Sequence, residues 1–379
     1  MFHETSNPLS IVRRIVEPWH DSLKDPLRAQ EQVLLELNKG YRKTRHGRGF
    51  AARDVKSFVD FRDRFPILDY QKLTPFLAQI HAGDYKSILP EPLECWVMTR
   101  GSTGPAKILP ATRRHLGQIF TCGPRALVNH ALRKRDLDLV IGNLLNLNFP
   151  SIVHATLKGR KKMTYGYSSG TYARLNPVLG RVGLIPRQED IDVLGPGIAR
   201  SDWAKRFELV YNRAQGQNVT ATIGVAPIIL AFARYLTRKH GVKPKDLWNF
   251  KALFCTSVKK IPFRYAPILR YYFGEIPVVE IYSAAEGVFA QQLDDMPYVS
   301  PNYDNYLFEV DTGKETKMLH ELKRGEWGKL IVSTRIFPRY NIGDLIEAEG
   351  KNYFRVIGRD NRWTLTEHML YRLIFRWFL

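Results

Sequence analysis

The feature that most constrains this chain is a change of hydrophobic period near residue 90. Before it, apolar residues recur at helical spacing. Asp25-Pro26 supplies an N-cap and a first-turn proline, followed by Leu27, Val33, Leu34, Leu37 and Tyr41, with Gly40 or Gly47 as a stop. Ser57 with Asp60 three residues on forms a capping box that opens a helix over 58–64, and Pro66 ends it. A third helix is expected over 69–82 with Gly83 behind it. From Leu93 onward, short strand-like runs at 93–98, 137–142, 253–256, 277–282, 328–334, 345–348 and 353–357 alternate with helical stretches at 112–127, 225–238 and 263–273. That alternation predicts an α/β architecture with mostly parallel sheet, in which ligands sit at the carboxyl ends of strands.

Composition agrees with a folded chain. The 379 residues are 44% hydrophobic and 12% aromatic, enough for two domains or one large domain with an appendage, and they show no internal repeat or low-complexity tract. The N-terminus lacks the apolar core of a signal peptide. The most apolar run, 219–235, contains Arg234 and is too short to span a bilayer, so a cytoplasmic location and no transmembrane segment are expected. Cys95, Cys122 and Cys255 form no CxxC pair and cluster with no histidines, which reads as reduced and structural. The net charge of +20 favours an anionic partner, but the basic residues are dispersed without the interleaved aromatics of a nucleic-acid groove. No nucleic acid is expected.

Between the strand at 93–98 and the helix behind it lies Thr99-Arg100-Gly101-Ser102-Thr103-Gly104-Pro105-Ala106-Lys107. Glycines let backbone N–H groups turn toward a ligand, and hydroxyls with a lysine complete a donor set suited to phosphate oxygens. The same residue types also build ordinary turns, so composition alone leaves both readings open. A second stretch of this kind, Tyr167-Ser168-Ser169-Gly170-Thr171, has no lysine close behind it and no strand leading in, and reads as a substrate-side or structural loop.

In this order of elements, Thr99 to Lys107 resembles the T-S-G-T-T-G-x-P-K phosphate-binding signature of the adenylate-forming, or acyl-activating, enzyme superfamily. Tyr282-Ser283-Ala284-Ala285-Glu286 resembles its Y-G-x-T-E segment, Tyr340-Asn341-Ile342-Gly343-Asp344 its Y-x-x-G-D segment, and Gly358-Arg359 the G-R that opens its hinge. Each motif is weak alone; four in the right order are a strong signal. The leader at 58–89, with Ile108-Leu109-Pro110 after the glycine loop, is similar to the auxin-responsive acyl acid amido synthetases of plants and their prokaryotic relatives. The resemblance runs from about residue 25 to 360.

The resemblance implies a large N-terminal adenylation domain of mixed sheets flanked by helices: a helical leader at 1–90 packed on it, an ATP- and acyl-binding core at 91–360, and a hinge or linker helix at 361–379. It implies ATP and Mg²⁺ as cofactors and a carboxylic acid as substrate, passed as acyl-adenylate to an amine. Thr99, Gly101, Ser102, Thr103, Gly104 and Lys107 would hold the leaving pyrophosphate, which needs dense donor coverage. Glu286 is assigned to Mg²⁺, a hard cation that takes one or two carboxylates plus substrate phosphates. Asp344 is assigned to the ribose hydroxyls, Tyr282 to the adenine, and Arg359 to the ribose and hinge. The catalytic set is therefore Lys107, Glu286 and Arg359. Arg100 stands where the family has a small serine, Ala106 replaces the proline, and Ala285 replaces a hydroxyl residue of the Y-G-x-T-E segment. Family members continue past the hinge into a small C-terminal domain, whereas this sequence ends 20 residues after Arg359 (379 − 359), so that domain, or a partner chain replacing it, is expected to be separate. The alternatives are an acyl-CoA ligase of the phenylacetate type, with coenzyme A as thiol acceptor, and a nucleotide-binding scaffold that has lost turnover.

Overall fold

The computed structural model describes residues 8–101, 106–158, 161–179 and 183–375. The chain forms two compact units, each assembled from separate stretches: residues 1–18 with 93–297, and residues 19–92 with 298–379.

In the first unit, β1 (Leu93–Met98) pairs antiparallel with β2 (Ile108–Thr112) in continuous register from Met98↔Ile108 to Cys95↔Ala111, and the register shifts before Leu93↔Thr112. The strands β3 (Asn143–Leu145), β4 (His154–Lys158) and β5 (Lys161–Tyr167) follow. One sheet has the order β2-β1-β5-β4, with β5 parallel to β1 and Tyr167 opposite Met98. After them come β6 (Leu184–Ile185), β7 (Val219–Val225), β8 (Ala252–Thr256), β9 (Val278–Ala284) and β10 (Gly287–Gln291), and a second sheet runs β6-β3-β7-β8-β9-β10. It is parallel from β6 through β9 and antiparallel only at β10. Helices Arg200–Ala214, Ala226–His240 and Ala266–Phe273 bury Phe207, Val210, Phe232, Leu236 and Leu269 with Leu253 and Cys255 of β8, each large side chain contributing about 1.5–3 kcal/mol.

In the second unit, β11 (Ser300–Pro301) precedes a five-stranded antiparallel sheet of β12 (Leu307–Asp311), β13 (Thr316–Met318), β14 (Trp327–Ser333), β15 (Tyr340–Ala348) and β16 (Phe354–Arg359), in the order β13-β12-β14-β15-β16. Helix Pro26–Tyr41 starts where expected, with the Asp25 carboxylate accepting the Arg28 amide. It lies on this sheet through Val33, Leu34 and Leu37, which cluster with Leu307 and Met318. The fully buried Gln30 amide donates to the Tyr303 and Tyr306 carbonyls at 2.8 and 2.7 Å and accepts from the Phe308 amide at 2.9 Å. The Ser57/Asp60 capping box opens helix Phe58–Arg64 as predicted, and Asp69 caps helix Tyr70–His81.

Three expectations change. The stretch 137–142 is a single helical turn, Asp138–Ile141, not a strand: only Leu139 of its apolar residues is buried while Leu137 and Ile141 are exposed, and the strand begins one residue after Gly142. The mostly parallel sheet is a property of one sheet alone, since the second unit's five strands are wholly antiparallel. The glycine loop is followed by β2, not directly by a helix, so it closes a β-hairpin. All three cysteines are buried, and none forms a disulfide among the described residues. Among the described residues no helix is long and apolar enough to cross a membrane.

Candidate functional site

The glycine loop is anchored at its two ends by one residue pair. The Thr99 amide donates to the Lys107 carbonyl at 2.9 Å, and the Lys107 amide donates to the Thr99 hydroxyl at 2.8 Å. The Thr99 side chain is thus spent on closing the hairpin. Gly101 sits at φ +68°, a left-handed conformation that favours glycine. Arg100 lies largely buried with its guanidinium 5.3 Å from the Phe149 ring centre, and burial lowers its pKa. Ser102, Thr103 and Gly104 lie outside the described residues.

Glu286 lies just past the end of β9. With Ala285 it forms the two-residue turn between β9 and β10, where Ala284 pairs with Gly287. Both carbonyls of that turn are bonded by side chains: His115 donates from Nε2 to the Glu286 carbonyl at 2.9 Å, and the Tyr172 hydroxyl donates to the Ala285 carbonyl. His115 is in the first turn of helix Arg113–Cys122, directly after β2, and Tyr172 is in helix Ser168–Leu175, directly after β5. The two helices that hold the Glu286 turn therefore grow from the sheet whose β1–β2 hairpin carries the glycine loop. At the ends of β8 and β9 the Thr256 and Ser283 hydroxyls are 2.6 Å apart. Tyr282 is buried on β9, its ring 5.8 Å from that of Phe289.

Tyr167 to Thr171 also differs from expectation. A strand does lead in, β5, and Ser168 opens a helix. The stretch is packed onto its own chain: the Ser169 hydroxyl accepts the Phe149 amide at 3.2 Å, and a Cβ on Gly170 would lie 1.9 Å from the Phe149 carbonyl oxygen. It is a scaffold for the segment under Arg100, and through Tyr172 for the Glu286 turn. Neither His115 nor Tyr172 was singled out by sequence. Tyr172 stands one residue beyond the second hydroxyl-rich stretch, but nothing in residue spacing ties it to a turn 113 positions away.

The second unit carries Asp344 and Arg359 as a cross-strand pair of β15 and β16, Arg359 Nε lying 3.3 Å from the Asp344 carboxylate. Arg359 also donates from Nη1 to the Ile342 carbonyl at 3.0 Å. Asp344 is buried, and the register of β15 against β14 slips between Asn341 and Leu345, so the motif sits on a bulge. Gly343 at φ +86° makes the bulge possible and leaves room beside it, since a Cβ there would be 3.7 Å from Arg359 Nη1. Among the described residues no group of three or more His, Cys, Asp or Glu gathers to hold a metal.

Residues 16–183 match the model of the GH3 family N-terminal domain. GH3.15 acyl acid amido synthetase superposes with a TM-score of 0.71 at 16% identity, covering 93% of this chain and 70% of that one. The AtGH3.15 acyl acid amido synthetase in complex with 2,4-DB gives 0.73 at 15% identity over 95% and 72%. A 2-hydroxyisobutyryl-CoA ligase in the postadenylation state in complex with 2-HIB-AMP gives 0.60 at 15% identity over 90% and 69%. No curated protein matches the sequence. At these identities the likeness is one of fold. The chain thus matches the GH3 family N-terminal domain over residues 16–183 and shares the fold of acyl acid amido synthetases and acyl-CoA ligases.

Proposed function

We propose that the chain activates a carboxylic acid with MgATP, the acid attacking the α-phosphate to give an acyl-adenylate and pyrophosphate, and that the acyl group then passes to an amine. The observation that carries this reading is the grip of His115 and Tyr172 on the Ala285–Glu286 turn. It ties the one buried carboxylate of the motif to the sheet that bears the glycine loop. An amine acceptor is favoured over coenzyme A because the family match is to GH3 and the superposition on the amido synthetases is the better one.

In this reading the loop amides and Lys107 bind the β,γ-phosphates, and Glu286 would hold Mg²⁺, which when bound would supply charge neutralisation for the departing pyrophosphate. Asp344 accepts the ribose hydroxyls while Arg359 orients it. Tyr282 presents its ring to the adenine. Ala285 contributes its carbonyl to the Tyr172 hydrogen bond, so the turn is held through its backbone. Calorimetric titration of ATP with and without Mg²⁺ tests these roles. Lys107→Ala should weaken ATP, Asp344→Ala should weaken both ATP and AMP, and Glu286→Gln should remove most of the Mg²⁺ dependence. Wild-type affinities in all three variants overturn the assignment.

A further inference from the structure

Where helix Phe58–Arg64 ends in the second unit, a cavity of about 490 Å³ opens that the adenylation chemistry does not use. Phe50, Phe65, Pro66 and Ile67 give it an apolar wall. Arg62, Arg64 and Arg339 bring three guanidinium groups to the lining, against one carboxylate there, Asp63.

Two of the guanidiniums are fixed side by side. Arg62 Nε and Arg339 Nε bond the two oxygens of the Glu309 carboxylate, at 3.2 and 3.0 Å, and Arg339 Nη1 donates to the Arg62 carbonyl at 3.0 Å. Glu309 is 1% exposed, and its single charge cancels one of the two cations. The other positive charge stays at the cavity. Glu321 does not cancel it: its Oε2 is 3.9 Å from Arg62 Nη2, too far for a hydrogen bond, and already accepts the Met318 amide at 2.8 Å. Arg62 Nη2 is buried with no hydrogen-bond partner among the described residues. Arg339, only 5% exposed, spends Nε and Nη1 on Glu309 and on the Arg62 and Phe65 carbonyls, and gives no hydrogen bond from Nη2 among the described residues. It is held there at φ +44°, a left-handed conformation disfavoured for a residue with a side chain. Arg64 adds a further cation, 3.8 Å from Asp54. Neighbouring guanidiniums with uncommitted N–H groups on a cavity wall suit a phosphoryl group, whose three terminal oxygens can be shared between two arginines.

We propose that this cavity is a phosphate site, separate from the nucleotide site, in which Arg62 and Arg339 hold a phosphoryl dianion. Free phosphate and a phosphate monoester share that chemistry, and the apolar wall distinguishes them. Hydrogen exchange on the whole 379-residue chain locates the binding, with inorganic phosphate and phenyl phosphate as millimolar probes at constant ionic strength. The Phe65 and Leu68 amides, which bond the Phe61 and Arg339 carbonyls at 2.9 Å, should exchange about tenfold more slowly with either probe. Calorimetry then compares affinities. Phenyl phosphate binding more tightly assigns the site to an ester, equal affinity assigns it to free phosphate, and benzoate should bind about tenfold more weakly than phenyl phosphate. Arg62→Lys and Arg339→Lys keep a cation for Glu309 but lose the guanidinium fork, and each should weaken binding about tenfold. Arg64→Ala, at an exposed position where folding is not at stake, should cost about threefold; circular dichroism checks the fold of all three. Lys107→Ala should leave the protection of Phe65 and Leu68 in place, so the result stands apart from the role given to the glycine loop. Absence of that protection with both probes, its loss in Lys107→Ala, benzoate binding as tightly as phenyl phosphate, or unchanged affinity in every folded arginine variant each overturn the proposal.

Discussion

The two units hold their functional motifs by different means. In the first, the Glu286 turn is fixed by neutral hydrogen bonds from His115 and Tyr172 to backbone carbonyls. In the second, charges do the fixing: Asp344 is held by Arg359, and the almost fully buried Glu309 accepts from Arg62 Nε at 3.2 Å and Arg339 Nε at 3.0 Å. Arg339 further donates to the Arg62 and Phe65 carbonyls at 3.0 and 2.7 Å, locking the end of helix Phe58–Arg64 to the residue before β15. Neutral bonds to a turn fix its backbone without placing a second charge there. Buried ion pairs instead fix geometry at a desolvation cost and make it intolerant of losing one partner.

The sharpest test of this contrast is Glu309→Ala. It strands two partly buried guanidinium groups, and chemical denaturation should show a loss of about 3–5 kcal/mol, reported by probes in the second unit. A loss below about 1 kcal/mol contradicts the view that ion pairs hold that unit.

Next in size is an opposition in pH response. Glu280, on β9 in the first unit, has its carboxyl raised by burial to about 7 from 4.5. The unfolded chain releases that proton first, so the first unit should lose stability as pH rises from about 4.5 to 7 and level off above. His46, in the second unit among Phe50, Phe65 and Phe76, is pushed by burial down to about 4 from 6.5. There the unfolded chain takes up the proton first, so the second unit should lose stability as pH falls from about 6.5 to 4. Each effect should be on the order of 2 kcal/mol after allowing for solvent screening. Hydrogen exchange across pH 4–8 reads the units separately; Glu280→Gln should flatten one slope and His46→Phe the other, and parallel slopes in both units contradict the account. The smallest expected effect is that of Tyr172→Phe, about 1 kcal/mol for one neutral hydrogen bond, with faster exchange of the β9–β10 amides. Unchanged exchange there removes the reason for giving Tyr172 a role.

Caps made the leader legible: Asp25, Ser57 and Asp69 each satisfy first-turn amides, and those helices begin where the sequence placed them. The strand at 93–98 was legible for a similar reason, as a short apolar run ended by a glycine loop. What hid β2 is Pro110, which argues against a strand unless the strand lies at a sheet edge, and β2 does. A left-handed glycine usually makes a turn; inside β15 Gly343 makes a bulge instead. The motif residues themselves were found by pattern. The pairing of Asp344 with Arg359 depends on strand register and the holding of Glu286 on contacts between distant helices, and no local periodicity encodes either.

The central claim is acid activation by ATP, and the exchange of labelled pyrophosphate into ATP measures it most directly. With a panel of aryl and alkyl carboxylates present, exchange should appear only when both an acid and Mg²⁺ are added, and Asp344→Ala should suppress it. Exchange that needs no acid, or none with any acid under conditions where calorimetry shows ATP bound, contradicts the account.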